Sequence, residues 1–235
     1  TLIGDEGGAI TPDGFVVSAQ EGAEGQGAVA ADGRGFMVVY ALNDDLYGQR
    51  VGLEGNLEGE VHTVSAARGA QTAPSIAYGA DSFLVSFEDH NEEAAGIGGA
   101  LLSLDGSSVR VLPTLTTGRA MVQPATSFSG KTFLVAWGGL EAAGSTSEST
   151  GGSTGENTGG STGGSTGENT SESTDESWGI DGALIDAKGN LVACGDIALN
   201  TLKETGPALA SDGANYLASW LAESEEGLFL YASPL

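Results

Sequence analysis

The chain has 235 residues, and 8 Lys and Arg stand against 32 Asp and Glu, a formal net charge of −24. That excess repels phosphate backbones and anionic lipid, which sets aside nucleic acid and acidic membrane surfaces as partners. Hydrophobic residues at 40%, charged residues at only 17% and 39 Gly describe a chain that fills a core with short strands and tight turns rather than long helices.

The first predicted elements are two short strands around a Pro-Asp-Gly turn in GAITPDGFVV (8–17). Next, GAVAADGRGFMVVY (27–40) reads as a strand, a polar Gly turn and a second strand opened by Phe36. LYGQRVGLEG (46–55) adds a third strand that ends in a turn at Gly55, and 57–64 adds a fourth. The order then returns. PSIAYGADSFLVSF (74–87) starts at Pro74 and carries Phe83; 96–106 closes on Gly106 and 107–112 follows. PATSFSGKTFLVAW (124–137) starts at Pro124 and carries Phe133; 179–189 closes on Gly189 and 190–199 follows. The last copy, PALASDGANYLASW (207–220), has Pro207 and Tyr216, then a third-strand-like 227–235 and no fourth.

The four aromatics recur about every 50 residues once the tract 144–177 is set aside, which is the size of a propeller blade. The predicted fold is therefore all-β, a β-propeller of four-stranded antiparallel blades forming a single domain, 1–235. Its units are 1–26 (partial), 27–73, 74–123, 124–206 and 207–235 (partial). Strands near 29–30, 75–78, 125–128 and 208–210 should be innermost, where small residues let blades converge. Phe83, Val85 and Phe87 should face one neighbouring sheet, and Leu84 and Ser86 the other. The four aromatics should occupy equivalent buried sites between blades. Two readings of the ends stay open, a closed small ring or a slice of a larger one; the duplicated third strand favours the slice. A start at Thr1 with no Met and no signal-like region reads as a processed product or an excerpt.

The pattern Pro124…Phe133-Leu134-Val135-Ala136-Trp137, with Leu46-Tyr47-Gly48-Gln49-Arg50-Val51 for the third strand, resembles a tandem propeller repeat of secreted and lipid-anchored proteins in myxobacteria and related Gram-negative bacteria. The resemblance covers nearly the whole chain outside the low-complexity tract. It implies blade architecture and an extracellular place, and no particular site. Arg50 departs from it, since small residues stand in the other units.

Chemistry-bearing motifs are sparse. Gly130-Lys131-Thr132 imitates the end of a phosphate-binding loop, but Ala125 stands where that loop needs Gly, and a strand follows where it needs a helix. Cys194, the single cysteine, excludes a disulfide framework and multi-cysteine metal sites, and in an alternating strand it reads as a small packed hydrophobe. His62 and His90 lie in different units, and neither has a Ser or Cys partner in a nucleophile setting. Every loop between second and third strands is acidic: Asp44 and Asp45; Glu88, Asp89, Glu92 and Glu93; Glu141 and the tract; Glu223, Glu225 and Glu226. No cofactor is expected; Asp44, Asp45, Asp89, Glu92 and Glu93 are weak Ca²⁺ candidates. The loops lack the alternating Asp/Asn spacing of a dedicated calcium site, which also fits a solvated rim.

The sequence thus reads as a non-catalytic, extracellular or outer-surface binding or structural module of a bacterium, not an enzyme. Its partners would be protein or glycan at the cell surface, with self-association through unpaired chain ends or the acidic face. No apolar run reaches the ~20 residues of a membrane helix. The alternatives are a lectin-like propeller and a glycan-processing enzyme. The last needs buried carboxylates gathered from different blades.

Residues 144–177 contain only Gly, Ser, Thr, Glu, Asn and Asp. Nothing there drives burial, so the tract reads as a flexible loop insertion between the second and third strands of one blade. Closure entropy grows only logarithmically with loop length, at a cost of about 1–2 kcal/mol. Replacing 144–177 by a short Gly-containing turn should therefore leave the Tm within a few degrees in a calorimetric scan, whereas a collapse of Tm would mean that the tract packs.

Overall fold

The computed structural model describes residues 8, 13–22, 24–91, 95–117, 122–140, 178–198 and 203–235. Every regular element among them is a β-strand, and each sheet is an antiparallel meander. Blade 1 is β1 (Glu24–Ala31), β2 (Gly35–Leu42), β3 (Asp45–Gly52) and β4 (Leu57–Ser65). Blade 2 is β5 (Gln71–Gly79), β6 (Ser82–Asp89), β7 (Gly96–Leu102) and β8 (Val109–Val111), with β9 (Thr116–Thr117) also on β7. Blade 3 is β10 (Val122–Phe128), β11 (Thr132–Leu140), β12 (Trp178–Asp186) and β13 (Leu191–Ala198). Blade 4 has three strands, β14 (Lys203–Ser211), β15 (Tyr216–Ser224) and β16 (Gly227–Pro234). The tract 144–177 lies outside the described residues.

The first strand of each blade is innermost: β1 packs on β5, β5 on β10 and β10 on β14. Among the described residues no contact of comparable extent joins β14 back to β1, so the blades form an arc. The sheets stack face to face, which explains why β6 is buried on both sides from Ser82 to Phe87. Phe83, Val85 and Phe87 pack with Met37 and Val39 of blade 1, while Leu84 packs with Phe133, Val135 and Trp137 of blade 3. Gly79 is small for a reason: a Cβ there would lie 2.2 Å from the Phe128 ring of the next blade. Ser86 and Thr126 join the same two blades through a 2.6 Å hydroxyl pair.

The four repeat aromatics share one register position but not one environment. Phe83 and Phe133 are fully buried and Tyr216 nearly so, whereas Phe36 is only half-buried. Phe36 faces the open end of the arc, where it lines a groove with Phe15 and Val17, and the described residues 13–17 form no strand. At the other end, Leu217 is 51% exposed although its register equivalents Leu84 and Leu134 are buried. Cys194 also departs from expectation: it is exposed, because β13 is the outermost strand of its blade and no further strand covers it.

Arg50 reinforces the junction of blades 1 and 2. Its guanidinium donates to both Asp32 carboxylate oxygens at 2.8 and 2.9 Å and lies 5.9 Å from the Phe83 ring centroid. Burial raises the Asp32 carboxyl, but the Arg50 hydrogen bond and charge, with the Arg34 and Gly35 backbone N–H groups, outweigh it and hold the group below its ordinary 3.8.

Two outcomes follow for equilibrium unfolding in denaturant. Phe83→Ala should cost about 3–5 kcal/mol through lost burial and a cavity, and Phe36→Ala less than half of that; equal losses would refute the open-ended arc. Asp32→Asn leaves the largely buried guanidinium with Glu58, 3.8 Å away, as its carboxylate partner and should cost about 1.5–3 kcal/mol at pH 7. Because the folded carboxyl is depressed, this contribution is complete above pH ~4 and fades as pH falls through the lowered value, so the wild-type advantage should shrink at pH 2–3.

Candidate functional site

In a meander the start of the inner strand, the end of the second and the start of the third lie at one end of the blade. The basic residues Arg34, Arg50, Lys131 and Lys188 belong to the hairpin end opposite, together with Asp32, Asp105, Asp186 and Asp212, while Asp44, Asp45, Glu88, Asp89, Glu223, Glu225 and Glu226 lie at this one with Lys203.

Each inner strand breaks its pairing at the same place. Register shifts fall between Glu24 and Gly27, Thr72 and Ser75, Val122 and Ala125, and Thr205 and Ala208. In blades 2 to 4 a residue in left-handed backbone, Ala73 (φ 47°), Gln123 (54°) or Gly206 (64°), precedes Pro74, Pro124 or Pro207. Proline has no N–H to give the ladder, and the bulge re-aims the residues before it.

The re-aimed segments meet between blades 2 and 3. One oxygen of Glu88 accepts the backbone N–H of Gln123, the bulge residue of β10, at 2.8 Å. The other accepts the Thr72 hydroxyl at 3.2 Å and lies 3.2 Å from His90 Nε2, which is 2.8 Å from Thr72 Oγ1. The Glu88 side chain is 13% exposed and His90 half exposed. Glu88 is thus a largely desolvated carboxylate that solvent still reaches, fixed by donors from two blades. Gln71, at the head of β5, is fully buried and donates to the Gly69 carbonyl at 2.8 Å. Glu204 holds the equivalent place on β14; it is fully buried and accepts the Trp220 indole N–H at 2.8 Å.

The sequence candidates distribute as follows. Asp44 sits in left-handed backbone (φ 71°) in the blade 1 loop. Asp45 opens β3 and accepts the Tyr47 hydroxyl at 3.4 Å. Asp89 accepts the Asn91 N–H at 3.2 Å. Glu92 and Glu93 lie outside the described residues, among which no group of three or more His, Cys, Asp or Glu converges as a metal site. Gly55, Gly106 and Gly189 occupy hairpin turns at φ 84°, 75° and 78°. Gly130 lies in a turn at φ 85° that β11 follows. Three acids at the hairpin end are committed to turns. Asp105 is held down to about 2 by Ser103 and Ser107; Asp186 is lowered by Asn190 and Lys188, and Asp212 by Asn215 and Ala214. The sequence reading missed the bulge and with it the Glu88 cluster. The x-Pro that recurs at Pro74, Pro124 and Pro207 was the available signal.

Neither a family model nor a curated protein sequence matches the chain. Among solved structures it is similar to a Penicillium chrysogenum alpha-L-arabinanase complexed with arabinobiose, at 8% identity and TM-score 0.58, over 90% of this chain and 62% of that one. It is similar to the phage phi92 endosialidase at 12% identity and TM-score 0.58, over 95% and 37%. A GH43_1 enzyme from Xanthomonas citri complexed with xylotriose aligns at 11% identity and TM-score 0.53, over 92% and 71%. The chain thus spans less than two thirds of the first two. At such identities the likeness establishes the propeller fold. The expectation of a non-catalytic module that is not an enzyme is withdrawn, since the three neighbours named are an arabinanase, an endosialidase and a GH43_1 enzyme.

Proposed function

We propose that this chain contributes a glycan-cleaving site to a β-propeller, with Glu88 as its proton-transferring carboxyl. The observation that carries the reading is the fixing of Glu88 across two blades by the Gln123 N–H and Thr72, at the end where the inner strands bulge. Glycoside cleavage needs a carboxyl that gives a proton to the leaving oxygen and a second on the other side of the bond. A largely buried carboxylate whose two oxygens accept an N–H and a hydroxyl suits the second role, as the base that takes a proton from water. The proton-giving carboxyl comes from the same end of the blades, where Asp45, Asp89 and Glu204 stand. Solved neighbours that include an arabinanase and an endosialidase add support for this chemistry. The proposal extends to an extracellular, bacterial setting, supported by the −24 charge and the repeat's resemblance to secreted propellers.

The test is reducing-end release from arabinan, xylan and polysialic acid, with Glu88→Gln, Asp45→Asn, Asp89→Asn and Glu204→Gln beside the wild type. Loss of one general acid or base should lower turnover about 10²–10⁴-fold while the unfolding midpoint holds. Wild-type turnover unaffected by Glu88→Gln would remove Glu88 from the mechanism, and inactivity on every glycan class would remove the function.

A further inference from the structure

Blade 4 departs from its sister blades at the rim of the acidic end. Phe229 pairs with Ala222 on β15, a register position at which the other third strands carry Asp45, Gly96 and Gly179. Lys203 pairs with Glu223, where blade 2 has Ala70 beside His90. A large apolar ring and a cation thus replace small residues at one corner. Neither is needed to build a blade, since the other blades form without them.

Together these residues line a cleft of about 870 Å³ with Glu223, Glu225, Glu226 and Tyr231. Phe229 and Tyr231 are 43% and 41% exposed and lie two residues apart on one strand, so their rings share a face of the sheet. Tyr231 is backed by Trp220, with ring centroids 6.3 Å apart and planes at 14°, so the outer ring rests on a buried one. Lys203 stands at the cleft with its ammonium 5.4 Å from the Trp178 ring centroid and 3.9 Å from Glu223.

The lining selects its ligand by elimination. An anion meets three carboxylates against a single ammonium. A cation is drawn by the carboxylates but finds its place already taken by the chain's own ammonium, since Lys203 lies 3.9 Å from Glu223. A neutral ligand with an apolar C–H face and several hydroxyls satisfies every group: its C–H bonds lie on the electron-rich faces of Phe229 and Tyr231. Its hydroxyls donate to the carboxylates and accept from Lys203. We propose that this rim cleft of blade 4 is a binding subsite for neutral oligosaccharide, separate from the Glu88 cluster.

Calorimetric titration of the full chain with xylotriose, a sialic acid trimer and choline tests this, with tryptophan fluorescence as a second readout of the Trp220–Tyr231 stack. Saturable binding of xylotriose alone is expected, weakened at least tenfold by Tyr231→Ala and by Phe229→Gly. The latter installs the residue that blades 2 and 3 carry there, and so keeps the blade intact. Glu88→Gln should leave this binding unchanged. Absence of saturable xylotriose binding, stronger binding of the trimer or choline, or indifference to Phe229→Gly overturns the subsite. Binding without cleavage would defeat the Glu88 mechanism and leave the subsite standing.

Discussion

A blade of four short strands has two faces and no interior of its own, so each face must be covered by a neighbour. Everything else in this molecule follows from that constraint. It is why Phe83 and Leu84, adjacent on one strand, belong to two different cores. It is why the strands read as apolar on consecutive residues rather than alternate ones, a pattern that usually marks strands covered on both sides. It also explains the ends of the arc. The same register position that is sealed in Leu84 is open in Leu217, with no change in residue type, only in whether a blade stands beside it.

Convergence of the blades on an axis creates the second constraint. Inner strands crowd together, and the bulge before each proline releases the strand heads from the ladder. Once released, the Gln123 N–H is free to reach the carboxylate of the preceding blade. Structure and chemistry therefore share one device: the irregularity that lets the blades fit also fixes Glu88. The acids at the hairpin end tell the opposite story. Asp105, Asp186 and Asp212 spend their lone pairs on turn N–H and hydroxyl groups, which keeps them ionised and occupied.

The blade pattern was legible in the sequence because its determinants are local. Hairpin glycines such as Gly106 and Gly189 and the aromatic opening each second strand are set within one repeat, and repetition multiplies the signal. What stayed hidden depends on what lies across a face. Phe36 reads like Phe83, yet among the described residues no full blade lies against it. Cys194 sits in an apolar alternation that, in an outermost strand, faces solvent. The Glu88 cluster joins residues from two blades, and no spacing along the chain encodes such a meeting. Ala73 and Gln123 were obscured for a further reason, since a residue before proline is ordinarily driven to extended backbone and here adopts positive φ. The absence of a nucleophile–base pair was read as absence of catalysis, although carboxylate chemistry on a propeller needs neither.

The site therefore stands or falls on whether a glycan reaches the bulged ends of β5 and β10. The most direct measurement is a crystal structure of the Glu88→Gln protein with a neutral oligosaccharide bound. A sugar is expected at the bulged ends of β5 and β10, with its anomeric carbon facing the residue 88 side chain. An oligosaccharide found only at the rim of blade 4, with the Gln123 and Thr72 contacts to residue 88 unchanged, would overturn the reading.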